Sequence, residues 1–150
     1  MGSVIVRSES GFRQEVTAGR HTLVADEPQA AGGTDTGPDP YALLLAALGS
    51  CTAMTLRLYA ERKKWPLGEI RVELSHSRVY AEDCAGCDRP GTQIERITRS
   101  IVLSGPLDAE QVARLADIAR RCPVHKTLTG GVQVSDEVSI QPPPRQTSPS

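Results

Sequence analysis

The sequence predicts an α+β domain with a largely antiparallel sheet. Two observations predict it: short strands joined by turns open the chain, and two well-marked helices are separated by a pair of strands. The predicted order is strands, helix, strands, helix and a last strand. The 150 residues contain no repeat of fixed period, so we expect one domain over residues 1–140 and a flexible Pro/Ser-rich tail over residues 141–150.

Three short strands are predicted at the start of the chain, over residues 4–6, 12–17 and 21–25. Gly11 and Gly19 mark the turns between them, because glycine accepts the backbone conformations that tight turns require. A loop rich in Pro, Gly, Asp and Thr follows over residues 26–39. Loops of this length are more often functional than accidental.

The first predicted helix begins at Pro40 and ends near Lys64, before Pro66. Asp39 can act as its N-cap, and proline suits the first helical position because it has no N–H to leave unpaired. Apolar residues recur along this helix at spacings of three and four. They predict a buried face made of Leu44, Ala47, Leu48, Cys51, Met54, Thr55 and Leu58.

Two longer strands and a second helix follow. Alternating apolar residues predict strands over residues 70–80 and 94–103. The second helix begins at Asp108, with Gln111 as its capping-box partner, and its apolar face ends at Cys122. Pro123 keeps Cys122 out of regular helical geometry. A last strand is predicted over residues 132–134, extending toward residue 140.

Composition and charge limit the possible partners. With 17 basic and 18 acidic residues the net charge is −1, so we expect neither nucleic acid nor membrane as a partner. The uncharged run at residues 41–56 is shorter than the about 20 residues of a membrane span, which indicates a core helix. Without a signal-like N-terminus, a cytoplasmic location with reduced cysteines is expected. Aromatic residues make up only 3%, and a homodimer would supply additional packing.

Cysteines are the main candidates for chemistry. Cys51 and Cys122 fall on the apolar faces of different predicted helices, and a disulfide for stability is not expected in a cytoplasmic chain of this size. Cys51 lies about three turns into its helix, too far for the helix dipole to act, so a reactive thiol there needs a neighbouring cation. The alternative is that Cys51 only packs as a small hydrophobic residue. The candidate cations are Arg20, Arg120, Arg121 and His125.

Two further groups have alternative interpretations. Cys84 and Cys87 form a CxxC that is either a mobile pair of surface thiols or half of a zinc site with His76 and His125; with only one such knuckle, the thiol pair is favoured. The acidic residues of the 26–39 loop form either a cation or acid/base site or a solvated loop with one N-cap. These residues are Asp26, Glu27, Asp35 and Asp39. No motif calls for a nucleotide, a metal or another cofactor.

Several of these segments together resemble the OsmC/Ohr family, in particular its general OsmC-like branch. They are Asp26-Glu-Pro28, Gly32-Gly33, Gly37-Pro-Asp-Pro-Tyr41, Leu43-Leu-Leu-Ala-Ala-Leu-Gly-Ser-Cys51-Thr and Ala119-Arg-Arg-Cys122-Pro-Val-His125. The match covers most of residues 15–140. It implies an intertwined homodimer, in which two long central helices pack between curved antiparallel sheets and the active sites lie at the subunit interface.

The resemblance also implies a thiol peroxidase that reduces organic hydroperoxides. By position, Cys51 is the peroxidatic thiol and Cys122 the resolving thiol, and an external dithiol such as a lipoyl group restores the pair. Arg20 is the best candidate for the arginine that activates Cys51. Peroxidase members carry a glutamate in the first turn of the Cys51 helix, where this chain has Tyr41-Ala42. The alternative is a non-catalytic stress protein that binds a small molecule or a lipid.

Overall fold

The structure is a computed structural model and describes residues 2–80 and 92–141 of the chain. It confirms the predicted α+β fold with antiparallel sheets. The elements are β1 (Val4–Arg7), β2 (Gln14–Ala18), β3 (His21–Ala25), a 3-10 helix (Gln29–Ala31), α1 (Pro40–Lys63), β4 (Ile70–Tyr80), β5 (Gln93–Leu103), α2 (Ala109–Ala119) and α3 (Pro123–Gly130). Cys84, Cys87 and residues 142–150 of the predicted tail lie outside the described residues.

The strands form two antiparallel sheets. One sheet has the order β1-β2-β3, and the other is a ribbon of β4 and β5. In the ribbon His76 is paired with Ile97, and Leu74 is paired with Arg99. Because side chains alternate along a strand, Glu95 lies on the same face of β5 as Ile97 and Arg99. This face of the ribbon carries most of the charged groups of the candidate site.

Helix α1 begins and ends where its sequence signals predict. The Asp39 carboxylate accepts a hydrogen bond from the backbone N–H of Ala42 at 2.8 Å, and Pro40 occupies the first helical position. At the other end Lys64 adopts a left-handed conformation with a φ of 57°. These local interactions set both bounds of the helix.

The buried face of α1 differs from the predicted one. Leu48 is buried as predicted, but Met54 is 70% exposed and Leu58 is 50% exposed. Apolar residues occur on nearly every side of this helix, so their periodicity does not single out one face. The residues that α1 buries form a neighbouring stripe made of Leu48, Gly49, Thr52, Leu56 and Ala60.

Gly49 is the point of close approach between α1 and β4. A Cβ atom added at Gly49 would lie 2.7 Å from Cδ1 of Leu74, so any side chain there would push Leu74 aside. Since Thr52 follows Gly49 by three residues, it lies on the same side of the helix. The close approach therefore brings Thr52 near the ribbon face that carries Arg99.

The loop before α1 is organised by the buried side chain of Asp26, which is 2% exposed. Its carboxylate accepts hydrogen bonds from the hydroxyl groups of Thr34 and Thr36, each at 2.6 Å. The Asp26 N–H donates to the carbonyl of Pro38 at 3.1 Å, which joins the two ends of the loop. Hydrogen bonds from the two threonines hold the pKa of the Asp26 carboxyl far below its usual value, although burial opposes them.

The hydrophobic core lies between α1, α2 and the β4–β5 ribbon. Its fully buried centre consists of Leu56, Leu115, Ile118 and Ala119. Helix α2 begins with the predicted capping box, in which Asp108 and Gln111 exchange hydrogen bonds of 2.8 and 3.0 Å. Val112, part of its predicted apolar face, is 44% exposed.

The region after α2 differs from the sequence prediction. Helix α3 was not predicted, and the strand predicted over residues 132–134 is not formed; residues 131–141 contain no helix or strand. Val132 is 64% exposed and Val134 is 80% exposed, so no described strand pairs with this segment. The second central helix implied by the resemblance is divided at Cys122–Pro123 into α2 and α3.

Candidate functional site

Cys122 is a fully buried free thiol at the start of α3. Its backbone is extended, with φ −63° and ψ 141°, as the following proline predicts. The sulfur acts as N-cap of α3 and accepts a hydrogen bond from the backbone N–H of His125 at 3.3 Å. The sequence signal for this helix was Pro123 itself, which is favoured at a first helical position.

Thr52 of α1 connects Cys122 to a positive charge. Its hydroxyl oxygen lies 3.8 Å from the Cys122 sulfur and accepts a hydrogen bond from Nη1 of Arg99 at 2.9 Å. The other guanidinium nitrogen of Arg99 lies 3.4 Å from Nδ1 of His125. Neither Thr52 nor Arg99 was singled out from the sequence, although both His125 and Cys122 were. The alternation of β5 places Arg99 on this face, but only the folded chain shows what it meets.

Cys51 lies directly beside this network. It precedes Thr52 on α1, is half-buried and is a free thiol. Its carbonyl accepts a hydrogen bond from the Thr55 hydroxyl at 2.7 Å. Thr52, the residue after Cys51, contacts the Cys122 sulfur. The helix that carries Cys51 therefore meets Cys122 one residue away from Cys51.

A cavity of about 550 Å³ is lined by Arg99 and His125 of this network, and neither Cys51 nor Cys122 is among its lining residues. Its lining combines leucine and isoleucine side chains with charged, imidazole and hydroxyl groups. The lining residues are Tyr41, Leu44, Leu48, His76, Glu95, Ile97, Arg99, His125, Leu128 and Thr129. Such a mixture suits a ligand with an apolar body and a polar reacting group.

His76 is held between an aromatic ring and a carboxylate at one side of the cavity. The Tyr41 ring stacks on the His76 ring, with 4.5 Å between ring centroids and an interplanar angle of 15°. Nε2 of His76 is hydrogen-bonded to Glu95, which also accepts from Nε of Arg78 at 2.9 Å. Burial raises the pKa of the Glu95 carboxyl, but the hydrogen bonds from His76 and Arg78 and their charges outweigh it and leave that pKa below its usual value. Glu95 is therefore ionised at neutral pH.

The surroundings of His125 favour its neutral form. Burial lowers the pKa of its imidazole, and the positive charges of Arg99 and Arg120 lower it further. A neutral imidazole has one unprotonated nitrogen, so Nδ1 can accept the hydrogen bond from Arg99. His125 therefore completes the network as an acceptor and adds no positive charge to it.

The other candidate residues have different positions. Arg20 is exposed in the turn between β2 and β3, and its role beside Cys51 stays a prediction. In the acidic loop, Asp26 is a buried acceptor and Asp39 is the N-cap of α1, which agrees with the structural interpretation of both residues. Across residues 2–80 and 92–141, no group of His, Cys, Asp and Glu is arranged to hold a metal ion.

The chain matches the family model described as OsmC-like protein over residues 33–136. The chain belongs to the OsmC-like protein family. No curated protein matches this OsmC-like chain. Membership confirms the resemblance that its cysteine motifs indicated.

Solved structures support the fold of this OsmC-like protein. An OsmC-like protein from Mycoplasma pneumoniae is 22% identical, with a TM-score of 0.65 and coverage of 87% of this chain and 86% of that chain. An organic hydroperoxide resistance protein OsmC from Legionella pneumophila is 20% identical, with a TM-score of 0.62 and coverage of 87% and 90%. Another organic hydroperoxide resistance protein, from Elizabethkingia anophelis, is 18% identical, with a TM-score of 0.62 and coverage of 84% and 86%. At these identities the likeness establishes a shared fold.

Helix α1 is long and apolar enough to span a membrane, judged by length and composition alone. Core helices of soluble proteins have the same properties. Leu56 and Ala60 of α1 are almost completely buried within the chain. Most of the apolar stretch of α1 is not buried within this chain, so its interpretation as a core helix stays a prediction.

Proposed function

We propose that this OsmC-like protein is a thiol-dependent peroxidase that reduces organic hydroperoxides. The observation that carries the proposal is the contact of Thr52 with the Cys122 sulfur, because it brings a second thiol to the part of α1 that carries Cys51. Organic hydroperoxide resistance proteins of the same fold support a redox role in the stress response. The proposed location is the cytoplasm, where thiols stay reduced. The proposed catalytic unit is one domain over residues 1–140.

The proposed reaction uses the two thiols in sequence. The Cys51 thiolate attacks the terminal peroxide oxygen; the O–O bond breaks, an S–O bond forms, and the alkoxide takes up a proton and leaves as an alcohol. The Cys122 sulfur then attacks the Cys51 sulfenic acid, and a disulfide forms with loss of water. An external dithiol reduces that disulfide and becomes oxidised itself.

The cavity supports an organic substrate. Leu44, Leu48 and Leu128 contribute apolar lining to the cavity, and Arg99 and His125 contribute polar lining. Apolar groups gain free energy when they leave water, so an alkyl or aryl hydroperoxide gains contacts there that hydrogen peroxide cannot make. This favours organic hydroperoxides as the substrate class.

The simplest test measures hydroperoxide consumption by the reduced protein. With dihydrolipoamide as reductant we expect sustained consumption of cumene hydroperoxide and a slower reaction with hydrogen peroxide at equal concentration. Mass spectrometry after one turnover should find Cys51 oxidised. No consumption, together with an unmodified Cys51, would contradict the proposal.

A second candidate function is non-catalytic binding of a small molecule or lipid. Tyr41 stacks on His76 in the first turn of α1, where peroxidase members carry a glutamate. An aromatic side chain in place of that glutamate favours ligand binding over peroxide chemistry. A binding protein should retain a ligand in the cavity without any change in the mass of Cys51. The peroxide assay therefore separates the two functions.

A homodimer is the proposed assembly. Apolar side chains are exposed on α1 and on the N-terminal sheet, and burial of this surface against a second copy would stabilise both chains. They include Val4, Ile5, Val6, Met54 and Leu58. In such a dimer the exposed turn at Arg20 is proposed to supply the cation for a Cys51 thiolate.

Light scattering tests the assembly. We expect a mass of twice 16.1 kDa, and Met54→Asp should shift it toward one chain because a carboxylate would be buried at the interface. Ala113→Asp, the matched change at an exposed position of α2, should leave the mass unchanged. A monomeric unmutated protein would contradict the dimer.

A further inference from the structure

The hydrogen bonds of Thr52 decide which group is the donor in its contact with the Cys122 thiol. The Thr52 hydroxyl is buried and donates its only hydrogen to the carbonyl of Leu48 at 2.7 Å. Its oxygen accepts from Arg99 at 2.9 Å and lies 3.8 Å from the Cys122 sulfur. Since the hydroxyl hydrogen is already used, the hydrogen in the contact with sulfur must come from the thiol. Cys122 therefore donates its S–H to Thr52.

Arg99 holds both neighbours of the Cys122 sulfur. One guanidinium nitrogen donates to Thr52 on α1, and the other faces Nδ1 of His125 on α3. His125 in turn donates its backbone N–H to the sulfur at 3.3 Å. A guanidinium group has donors in a fixed planar arrangement, so one arginine can fix two partners at once. The sulfur of Cys122 lies between groups that the same cation positions.

We propose that Arg99 is the positioning residue for disulfide formation by Cys122, an inference that rests on the proposed peroxidase function. In this step the Cys122 thiol gives up its proton and its sulfur bonds to the Cys51 sulfur; the S–O bond of the sulfenic acid breaks, and the departing hydroxide takes up one proton to form water. The peroxide consumed in the first step is the only oxidant required.

The network can follow this loss of a proton. Once the S–H hydrogen has gone, the Thr52 hydroxyl can turn its hydrogen from the Leu48 carbonyl to the negative sulfur. Arg99 continues to donate to the Thr52 oxygen, and its positive charge lies one hydroxyl group away from the sulfur. A positive charge at this distance in a buried site stabilises the negative charge that the sulfur carries as it attacks the sulfenic acid.

The inference predicts a larger effect on the rate of disulfide formation than on the rate of sulfenic acid formation. Arg99→Met should slow disulfide formation by about tenfold or more, because a hydrogen-bonded charge is lost. The rate of sulfenic acid formation at Cys51 should fall by a smaller factor, which reflects the place of Arg99 in the cavity lining. Arg99→Lys should recover part of the rate, since it restores the charge without the second donor.

The experiment uses the full chain with Cys84→Ser and Cys87→Ser, so that only one disulfide can form. The reduced protein is mixed with cumene hydroperoxide and quenched at intervals; mass spectrometry then quantifies the trapped sulfenic acid and the disulfide. Arg71→Met, at an exposed arginine on β4, is the matched control and should leave both rates unchanged. Thr52→Ser should retain most of the disulfide rate and Thr52→Val should lose it, which gives an answer even if Arg99→Met does not fold.

Three outcomes are distinguishable. A disulfide step that is slowed more than sulfenic acid formation supports the inference. An unchanged disulfide rate in Arg99→Met and Thr52→Val, or equal slowing of both steps, overturns the inference and leaves the peroxidase function standing. Absence of sulfenic acid in the protein that carries only Cys84→Ser and Cys87→Ser overturns the peroxidase function and the inference with it.

Discussion

We expect Cys51→Ser to lower the rate of organic hydroperoxide consumption by roughly a thousandfold or more, because a serine hydroxyl does not replace a thiolate as the attacking group. The change removes only one half-buried sulfur atom, so the fold should be preserved. Consumption of cumene hydroperoxide with dihydrolipoamide as reductant measures the effect. Circular dichroism checks that the variant remains folded.

Cys122→Ser is the matched variant, because it makes the same change at the other thiol. It should still consume one equivalent of hydroperoxide, and Cys51 should then persist as a sulfenic acid that a dimedone-type reagent traps. Multiple turnover should fall, since no internal disulfide can form for the external dithiol to reduce. Unchanged consumption by Cys51→Ser, or loss of the first turnover in Cys122→Ser, would contradict the assigned roles.

The largest loss of stability is expected from Leu115→Ala. Leu115 has 0% exposure at the centre of the core, where it packs with Leu56 and Ile118. Removal of its side chain loses burial and leaves a cavity, and such changes reduce the free energy of unfolding by about 2–5 kcal/mol. Urea unfolding followed by circular dichroism measures the change.

The control for this variant lies on the same helix. Val112 is 44% exposed, so Val112→Ala should reduce the free energy of unfolding by less than about 1 kcal/mol. Comparable losses at the two positions would mean that Leu115 is not central to the folded protein. Both residues lie on α2, so the two variants are compared within the same helix.

Features with local causes were predictable from the sequence. Asp39 and Pro40 set the start of α1, and Asp108 with Gln111 set the start of α2, because a cap is formed by residues close in the chain. The strands of the β4–β5 ribbon followed from alternation. The motifs around Cys51 and Cys122 also indicated the OsmC-like family, which the family model confirmed.

Features that depend on packing between distant segments were not predictable. The buried stripe of α1 is chosen by what packs against it, including Leu74 beside Gly49, and the helix is apolar on almost every side. Arg99 belongs to no sequence motif. It lies in the site because the fold brings β5 next to Thr52 of α1 and His125 of α3. The valines of the predicted last strand had the right composition, but no described strand offers them a partner.

The buried carboxylate of Asp26 makes the loop before α1 insensitive to moderate acid. A group whose pKa falls on folding stabilises the native state above its unfolded pKa, about 3.9 for aspartate, and this contribution disappears as the pH drops below that value. Between pH 5 and pH 8 Asp26 therefore keeps its full contribution. The loop that leads into Pro40 and Tyr41 consequently keeps its hydrogen bonds when a cell acidifies, and the Tyr41 ring that lines the cavity keeps its support.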